Sequence, residues 1–359
     1  YMISDTIQTL ITVPYLALTP ELAPSYDSRT SLTTIRMFFN LVSSLATAVA
    51  APSIVEAVVK SGASLQQGYI LVGALFGGLA IIPYLLIFLL IRERKANTSE
   101  ELIPALHPSQ TVRILWNNRP FRYAAGIYVL NWIAFDLVSL MLPYFLLYWI
   151  AQGDLLAKVK LLGINLSIDS AFLGILFVTA IAALPLWLFL SRKLSKRSVY
   201  IGGMSFWIVV QCLVLAIQPN QVSKVLIFAF VAGISVSVAH VMPEAIFPDV
   251  IDWDELRTNN RREGTYYGAI NFLRKLSSAF AIFLALQVLG WFGYQAPPEG
   301  AALFQQSAIT QQAIRFLSGP IVAVLIIIAT ILAFFYPLTR ERQARIQQSL
   351  ERRQRKTGL

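Results

Sequence analysis

Nine apolar runs, each near the length needed to cross a bilayer, constrain this chain more than any other feature. They fall at about residues 1–20, 34–59, 67–91, 121–150, 168–190, 198–217, 223–247, 265–292 and 317–338. A transmembrane helix needs roughly 20 mostly apolar residues. The hydrocarbon core offers the backbone no water, so only helices or a closed barrel can span it. The runs lack the two-residue alternation of barrel strands and are about twice their ~10-residue length. They therefore read as helices, and the chain as an all-α polytopic membrane protein. Composition agrees, with 56% hydrophobic and 13% charged residues, against about 25% charged in soluble domains.

The net charge of +10 marks topology rather than nucleic-acid binding, because the basic residues lie in short loops between the runs. Arg92, Arg94, Lys95, Arg113, Arg119 and Arg122 flank one connection, and Arg192, Lys193, Lys196 and Arg197 fill another. Arg257, Arg261 and Arg262 fill a third, and the tail after residue 339 is strongly basic. These loops and the C-terminus are expected in the cytoplasm of a cell whose inner (plasma) membrane holds the chain. That orientation places the first residue outside, with no leader to carry it there. The simpler expectation is a fragment with nine transmembrane helices that lacks three, helices 4–12 of an expected 12. The long polar connection at 92–120, with Pro104 and Pro108, then joins two six-helix halves. This is the major facilitator fold, built from repeated three-helix units. The expected units are a partial N-terminal half (1–91), a central loop (92–120), a C-terminal half (121–338) and a basic tail (339–359) that reads as a frayed, solvated helix.

Four stretches carry a resemblance. They are Val13-Pro14-Tyr15-Leu16-Ala17-Leu18-Thr19-Pro20-Glu21-Leu22 with Asp27-Ser28-Arg29 and Arg36, the basic Arg192–Arg197 segment, Pro243 to Gly268, and Arg274-Lys275. Together they resemble the glycoside–pentoside–hexuronide:cation symporters, the melibiose permease family. The resemblance implies secondary active symport of a small polar solute, a sugar or glycoside, with a monovalent cation, sodium or a proton, by alternating access. It implies no cofactor and a monomer working in the lipid bilayer. A lipid or lysolipid carrier is the nearest rival within transporters, and a non-transporting membrane sensor or scaffold the rival of another class. An enzyme is not expected: the sequence shows no nucleophile–base pair, phosphate loop or metal cluster. Cys212 has no second cysteine to pair with, and His107 and His240 are too few for a metal site.

Charges inside the membrane are costly, about 2.5–3.5 kcal/mol on insertion scales, so they head the candidates. Lys275 sits about ten residues into its run, roughly 15 Å deep at 1.5 Å per residue. The matching lysine of the resembled family lies beside the cation site, whereas Arg274 reads as snorkelling to the interface. Arg36 matches a family arginine that holds sugar hydroxyls, a task suited to a planar five-donor fork. Asp5, Thr9 and Thr12 share a helix face. There the family has an aspartate where Thr12 stands and a tryptophan where Leu16 stands, which argues against a galactoside. Asp136 is expected to face a cation, a proton, or Tyr144 or Tyr148. Asn271 lies one turn before Lys275 on the same face. Glu244 is set aside as snorkelling, His240 as packing, and Gly73 with Gly77 as a close helix contact.

A last group sits at the basic end: Asp27, Arg29, Arg192, Lys193, Lys196, Arg197, Asp249, Asp252, Asp254, Glu255, Arg261 and Arg262. The topology rule accounts for the bases but not for the acids. These residues are expected to form a gate of acid–base pairs between the halves.

Overall fold

The computed structural model describes residues 2–23, 25–90, 107–155, 157–161, 163–298 and 303–357. Three helices come first: α1 (Met2–Leu22), α2 (Tyr26–Lys60) and α3 (Leu65–Leu90). Short α4 (Pro108–Asn117) leads into α5 (Arg119–Tyr144), which continues as a π-helical turn, Phe145–Ile150. A hairpin, β1 (Lys158–Leu161) and β2 (Ile164–Ser167), precedes α6 (Ile168–Lys193). Then follow α7 (Lys196–Leu213), α8 (Val222–Thr258), α9 (Glu263–Trp291), α10 (Ala308–Ser318), α11 (Pro320–Phe334) and α12 (Arg340–Thr357).

Among the described residues, eight helical segments are long and apolar enough to cross a membrane. The expected first span forms α1, which is not among them. The last span is broken: Gly319 and Pro320 split it into α10 and α11. The all-α expectation misses the antiparallel hairpin, in which Lys158 pairs with Ser167 and Leu161 with Ile164. Most of the expected central loop lies outside the described residues.

Helix α8 organises the packing. It has 37 residues, so at 1.5 Å per residue it is roughly 55 Å long and overshoots the ~30 Å hydrocarbon core. The overshoot carries Asp249, Asp252, Asp254 and Glu255 beyond the apolar stretch as helix rather than loop. The helix stops at Asn259, whose left-handed φ of 56° turns its N–H back to the Glu255 carbonyl, a common helix end. Pro243 interrupts the ladder and leaves the Ala239 carbonyl without its usual donor. Asn131 of α5 fills that place, Nδ2 to Ala239 O at 3.1 Å. The proline thereby creates an acceptor that ties α5 to α8.

Helix α8 packs mainly on α6 and α7, and α11 on α5 and α7, while α2 lies on α6 and α8, and α1 on α9. Two glycines allow the closest approaches. A Cβ at Gly233 would sit 2.5 Å from the Leu176 carbonyl oxygen of α6 and 2.8 Å from Thr179 Cβ, and one at Gly203 would sit 2.5 Å from Val238. Gly73 and Gly77 do not make the expected close contact: a Cβ at either meets nothing within 4 Å, while Gly68 lies against Val55. Helix α3 meets α2 through its first turn there, one face away from that pair.

The tail is also corrected. Helix α12 is docked, with Gln343 and Ile346 only 1% and 4% exposed.

Gly233→Ala is expected to destabilise the protein by about 1–3 kcal/mol, the usual cost of overpacking. Gly174→Ala, where a Cβ meets open space, is expected to leave the melting midpoint of detergent-solubilised protein unchanged or slightly raised.

Candidate functional site

Helix α2 carries two arginines seven residues apart, Arg29 and Arg36, on one face. Helix α8 runs the opposite way with Asp252 and Glu244 eight residues apart. The two helices meet along this stripe. Arg29 grips Asp252 with both terminal nitrogens, at 2.5 and 3.2 Å, and its Nε donates to the Ala23 carbonyl at 3.0 Å. About two turns deeper, Arg36 donates to Glu244 Oε2 at 3.0 Å. The α2–α8 seam is therefore closed by two ion pairs roughly 10–12 Å apart along the axis.

The outer pair belongs to a larger buried network. Asp249 lies 3.5 Å from Arg29 and 2.9 Å from Lys196 Nζ of α7. The same ammonium donates to the Ala245 carbonyl at 2.8 Å, an acceptor beside the break made by Pro248. Arg29, Lys196, Asp249 and Asp252 are all under 5% exposed. Gln343 of α12 adds a bond to Asp252 Oδ2 at 2.8 Å, and Arg340 pairs with Asp27 of α2 at 2.9 Å. Arg340 also donates to the Arg192 carbonyl, and Arg192 to Ser31 of α2 at 3.1 Å.

The other expected gate residues join elements within the later helices. Glu255 and Arg261 pair at 2.9 Å, and Asp254 and Arg262 at 3.6 Å. Burial works to lower the Arg261 pKa, but Glu263 and Glu255 beside it outweigh that, and it stands above its ordinary value. Arg197 donates to the Phe334 and Tyr336 carbonyls at the end of α11, where a cation meets the helix dipole. Lys193 rests over the Phe189 ring at 4.5 Å. These four features fasten loops rather than bridge α2 to α8.

Deeper in, α5, α8 and α9 each present one polar stripe. Helix α5 offers Tyr128, Trp132, Phe135 and Asp136, at helical spacings of four and three. Asp136 is held by Arg274 of α9 in a two-pronged contact, 2.6 and 2.9 Å, and by Ser278 Oγ at 2.6 Å. This replaces the expected partners Tyr144 and Tyr148, which group with Tyr294 instead. It also corrects the reading of Arg274: the guanidinium lies over Trp132 at 3.9 Å, where cation–π attraction adds to the ion pair. Lys275 points to α1 and donates to Thr9 Oγ1 at 2.6 Å. Thr12 and Asn271 are half-buried on α1 and α9. The side chain of Asp5 lies outside the described residues.

Glu244 is the residue that sequence reasoning undervalued. Besides Arg36 it accepts from the Tyr128 hydroxyl at 3.3 Å. Tyr128 stands edge-on to Trp132, and Trp132 and Phe135 stand edge-on to His240. His240 is packing as expected, its Nδ1 3.0 Å from the Val236 carbonyl oxygen. A continuous track thus runs from Arg36 through Glu244, Tyr128 and Trp132 to Arg274 and Asp136. The available signal was an acid directly after a proline within an apolar run, aligned with an aromatic i, i+4 pair on α5.

Removing one partner of a buried pair costs about 3–5 kcal/mol, because the other charge stays unpaired in a dry place. Asp252→Ala is thus expected to lower the melting midpoint strongly. Glu255→Ala, whose partner Arg261 is 32% exposed, is expected to cost about 0–1 kcal/mol. Equal losses in thermal unfolding would contradict this ordering.

The MFS/sugar transport protein family matches residues 1–340. An uncharacterized symporter of Synechocystis is 33% identical over 248 residues, covering 69% of this chain and 43% of the relative. An uncharacterized symporter of Bacillus subtilis is 28% identical over 354 residues, 98% of this chain and 72% of the relative. The sodium-dependent lysophosphatidylcholine symporter 1 of mouse is 24% identical over 380 residues, 98% and 67%. Among solved structures, the Escherichia coli fucose:proton symporter superposes with a TM-score of 0.54 at 12% identity, covering 91% of this chain and 73% of that one. A bacterial homologue of the iron transporter ferroportin, in an outward-facing state, gives 0.54 at 16% identity, 89% and 68%. These two likenesses establish the major facilitator fold.

Proposed function

The chain belongs to the MFS/sugar transport protein family, and we propose that it performs cation-coupled symport of a sugar or glycoside by alternating access, as one of the glycoside–pentoside–hexuronide:cation symporters. Its relatives are transporters rather than enzymes. The membrane proposed is the cell's inner membrane, with α12 and the buried ion network on the cytoplasmic side.

One observation carries the reading: polar side chains from α2, α5, α8 and α9 are linked within the apolar helical segments, beside a seam of ion pairs, and Lys275 of α9 reaches Thr9 of α1. Arg36, Glu244, Tyr128, Asp136, Asn271, Thr12 and Lys275 offer donors and acceptors for hydroxyl groups, and Trp132 a face for an apolar sugar ring. The Arg29–Asp252 pair, with Asp249 alongside and itself fixed by Lys196 of α7, acts as the gate. It holds α2 on α8 while solute enters from the other side, and parts when the halves rock.

A lipid carrier is the second reading, supported by the mouse relative. It fits an apolar opening with one charged anchor better than a cluster with two ion pairs and a further lysine. A sensor or scaffold has no need of paired charges at this depth.

Glu244 is the coupling group in this proposal. With Arg36 at 3.0 Å, a sodium ion at the carboxylate would be repelled by the guanidinium, whereas a proton neutralises the acid and dissolves the pair. Arg36 is then free to turn its fork to the solute. Tyr128 of α5 and Tyr267 of α9 are the other titratable groups in reach of the pair, and His240 lies one turn away on α8. Proton and solute thereby favour each other's binding, as coupling requires.

The test is uptake by the protein produced from its gene and reconstituted into vesicles, over a panel of sugars, glycosides and lysolipids under imposed proton or sodium gradients. Wild type is expected to take up a sugar only with a proton gradient, and Lys275→Ala to abolish that uptake. Glu244→Gln, a mimic of the protonated acid, is expected to keep solute exchange but lose more than tenfold of gradient-driven accumulation. Sodium-driven uptake unaffected by Glu244→Gln would remove the coupling assignment. Lysolipid uptake would select the carrier reading, and no uptake by folded protein the sensor.

A further inference from the structure

The charged end of the molecule holds a cavity of about 550 Å³ where α5, α8 and α12 meet. Its walls carry Arg119, Arg257, Arg342 and Arg345, and its lining includes Trp253 and Ile346, with no acidic residue among the described ones. Ile346 and the nearby Leu338 are buried, at 4% and 7% exposure, while the four arginines are exposed. Arg119, Arg257 and Arg345 make no ion pair among the described residues. The indole Nε1 of Trp253 is buried and without a hydrogen-bond partner among them. Buried donors normally find an acceptor, and none of the described residues supplies one here.

We propose that this cavity binds the headgroup and glycerol region of an anionic phospholipid. Four guanidinium forks suit phosphate oxygens, which they bind in pairs of parallel hydrogen bonds. The Trp253 N–H is a second kind of donor, and the apolar floor suits the start of acyl chains. The position fits a lipid rather than a soluble anion. Arg119 opens one membrane-spanning segment, Arg257 ends another, and Pro337 follows a third, so the cavity lies at headgroup level. Cytoplasmic leaflets hold anionic lipids that attract such basic clusters.

Occupancy has a consequence for the ion network. The α12 wall of the cavity, Arg342 to Ile346, flanks Gln343, which bonds to Asp252. A lipid that holds α12 against α5 and α8 therefore also holds the Gln343 bond to the gate carboxylate. The binding claim itself does not depend on which solute is carried.

The experiment compares purified protein in neutral detergent with its Arg119→Gln/Arg345→Gln variant. The melting midpoint is followed during titration with phosphatidylglycerol or phosphatidylcholine. Phosphatidylglycerol is expected to raise the wild-type midpoint and phosphatidylcholine not to. The variant is expected to need on the order of tenfold more phosphatidylglycerol. Equal responses of both proteins, or equal effects of both lipids, would overturn the proposal. Inorganic phosphate or glycerol phosphate giving the full rise would reassign the cavity to a soluble anion. A second readout needs no arginine variant: bromine-labelled phosphatidylglycerol should quench emission that disappears in Trp253→Phe. Identical quenching in that variant and wild type would place the lipid elsewhere.

Discussion

Two stripes of opposite charge, on helices that run antiparallel, hold this structure in the form observed. Arg29 and Arg36 on α2 face Asp252 and Glu244 on α8. Taking such groups out of water is expensive, and the cost is offset only when partners and further hydrogen bonds are in place together. Arg29 meets that condition, with two nitrogens on Asp252, the third on the Ala23 carbonyl, and Asp249 alongside. A seam of this kind is two-state by nature. Half-open, it would leave charges buried and unpaired, so it is either closed or wet. That property suits a gate, and it comes from desolvation rather than from strong attraction in the closed form.

The prolines of α8 add anchors beside the seam. A regular helix keeps its carbonyls to itself. Pro243 and Pro248 withhold two N–H groups and so release acceptors in the middle of the protein. Asn131 uses the one at Ala239, and Lys196 bonds the Ala245 carbonyl, next to the one at Glu244 that Pro248 leaves without a donor, while also holding Asp249. The kinked segment thus offers backbone oxygens and side-chain acids on one surface. Helix α12 completes it from outside through Gln343. The same helix that seals the network forms one wall of the arginine-lined cavity, which links the cavity to the ion network through a single element.

The sequence alone determined the class of the protein, its family resemblance, the places of most helices and the end at which charge collects. Hydrophobic length and loop charge are local properties, and each can be read without knowing what touches what. Arg29, Lys196, Asp249 and Asp252 were legible as a cluster of acid–base pairs for the same reason: acids at a basic end stand out from the topology rule. Lys275 and Thr9 stood out as polar groups at depth.

Only the tertiary structure decided the partners. Arg274 and Asp136 are 138 residues apart in the chain, and nothing in their neighbours says that α5 and α9 bring them together. Glu244 looked like an isolated acid until α2 set Arg36 beside it. The tail looked soluble because its composition is polar, yet one small buried face, Gln343 and Ile346, is enough to dock it. Gly73 and Gly77 have the spacing of a contact, yet among the described residues a Cβ at either meets nothing within 4 Å, while α3 meets α2 at Gly68. Pairing depends on which helix faces cross and at what depth. That is set by packing across the whole bundle, and it leaves no local mark in the residues that it joins.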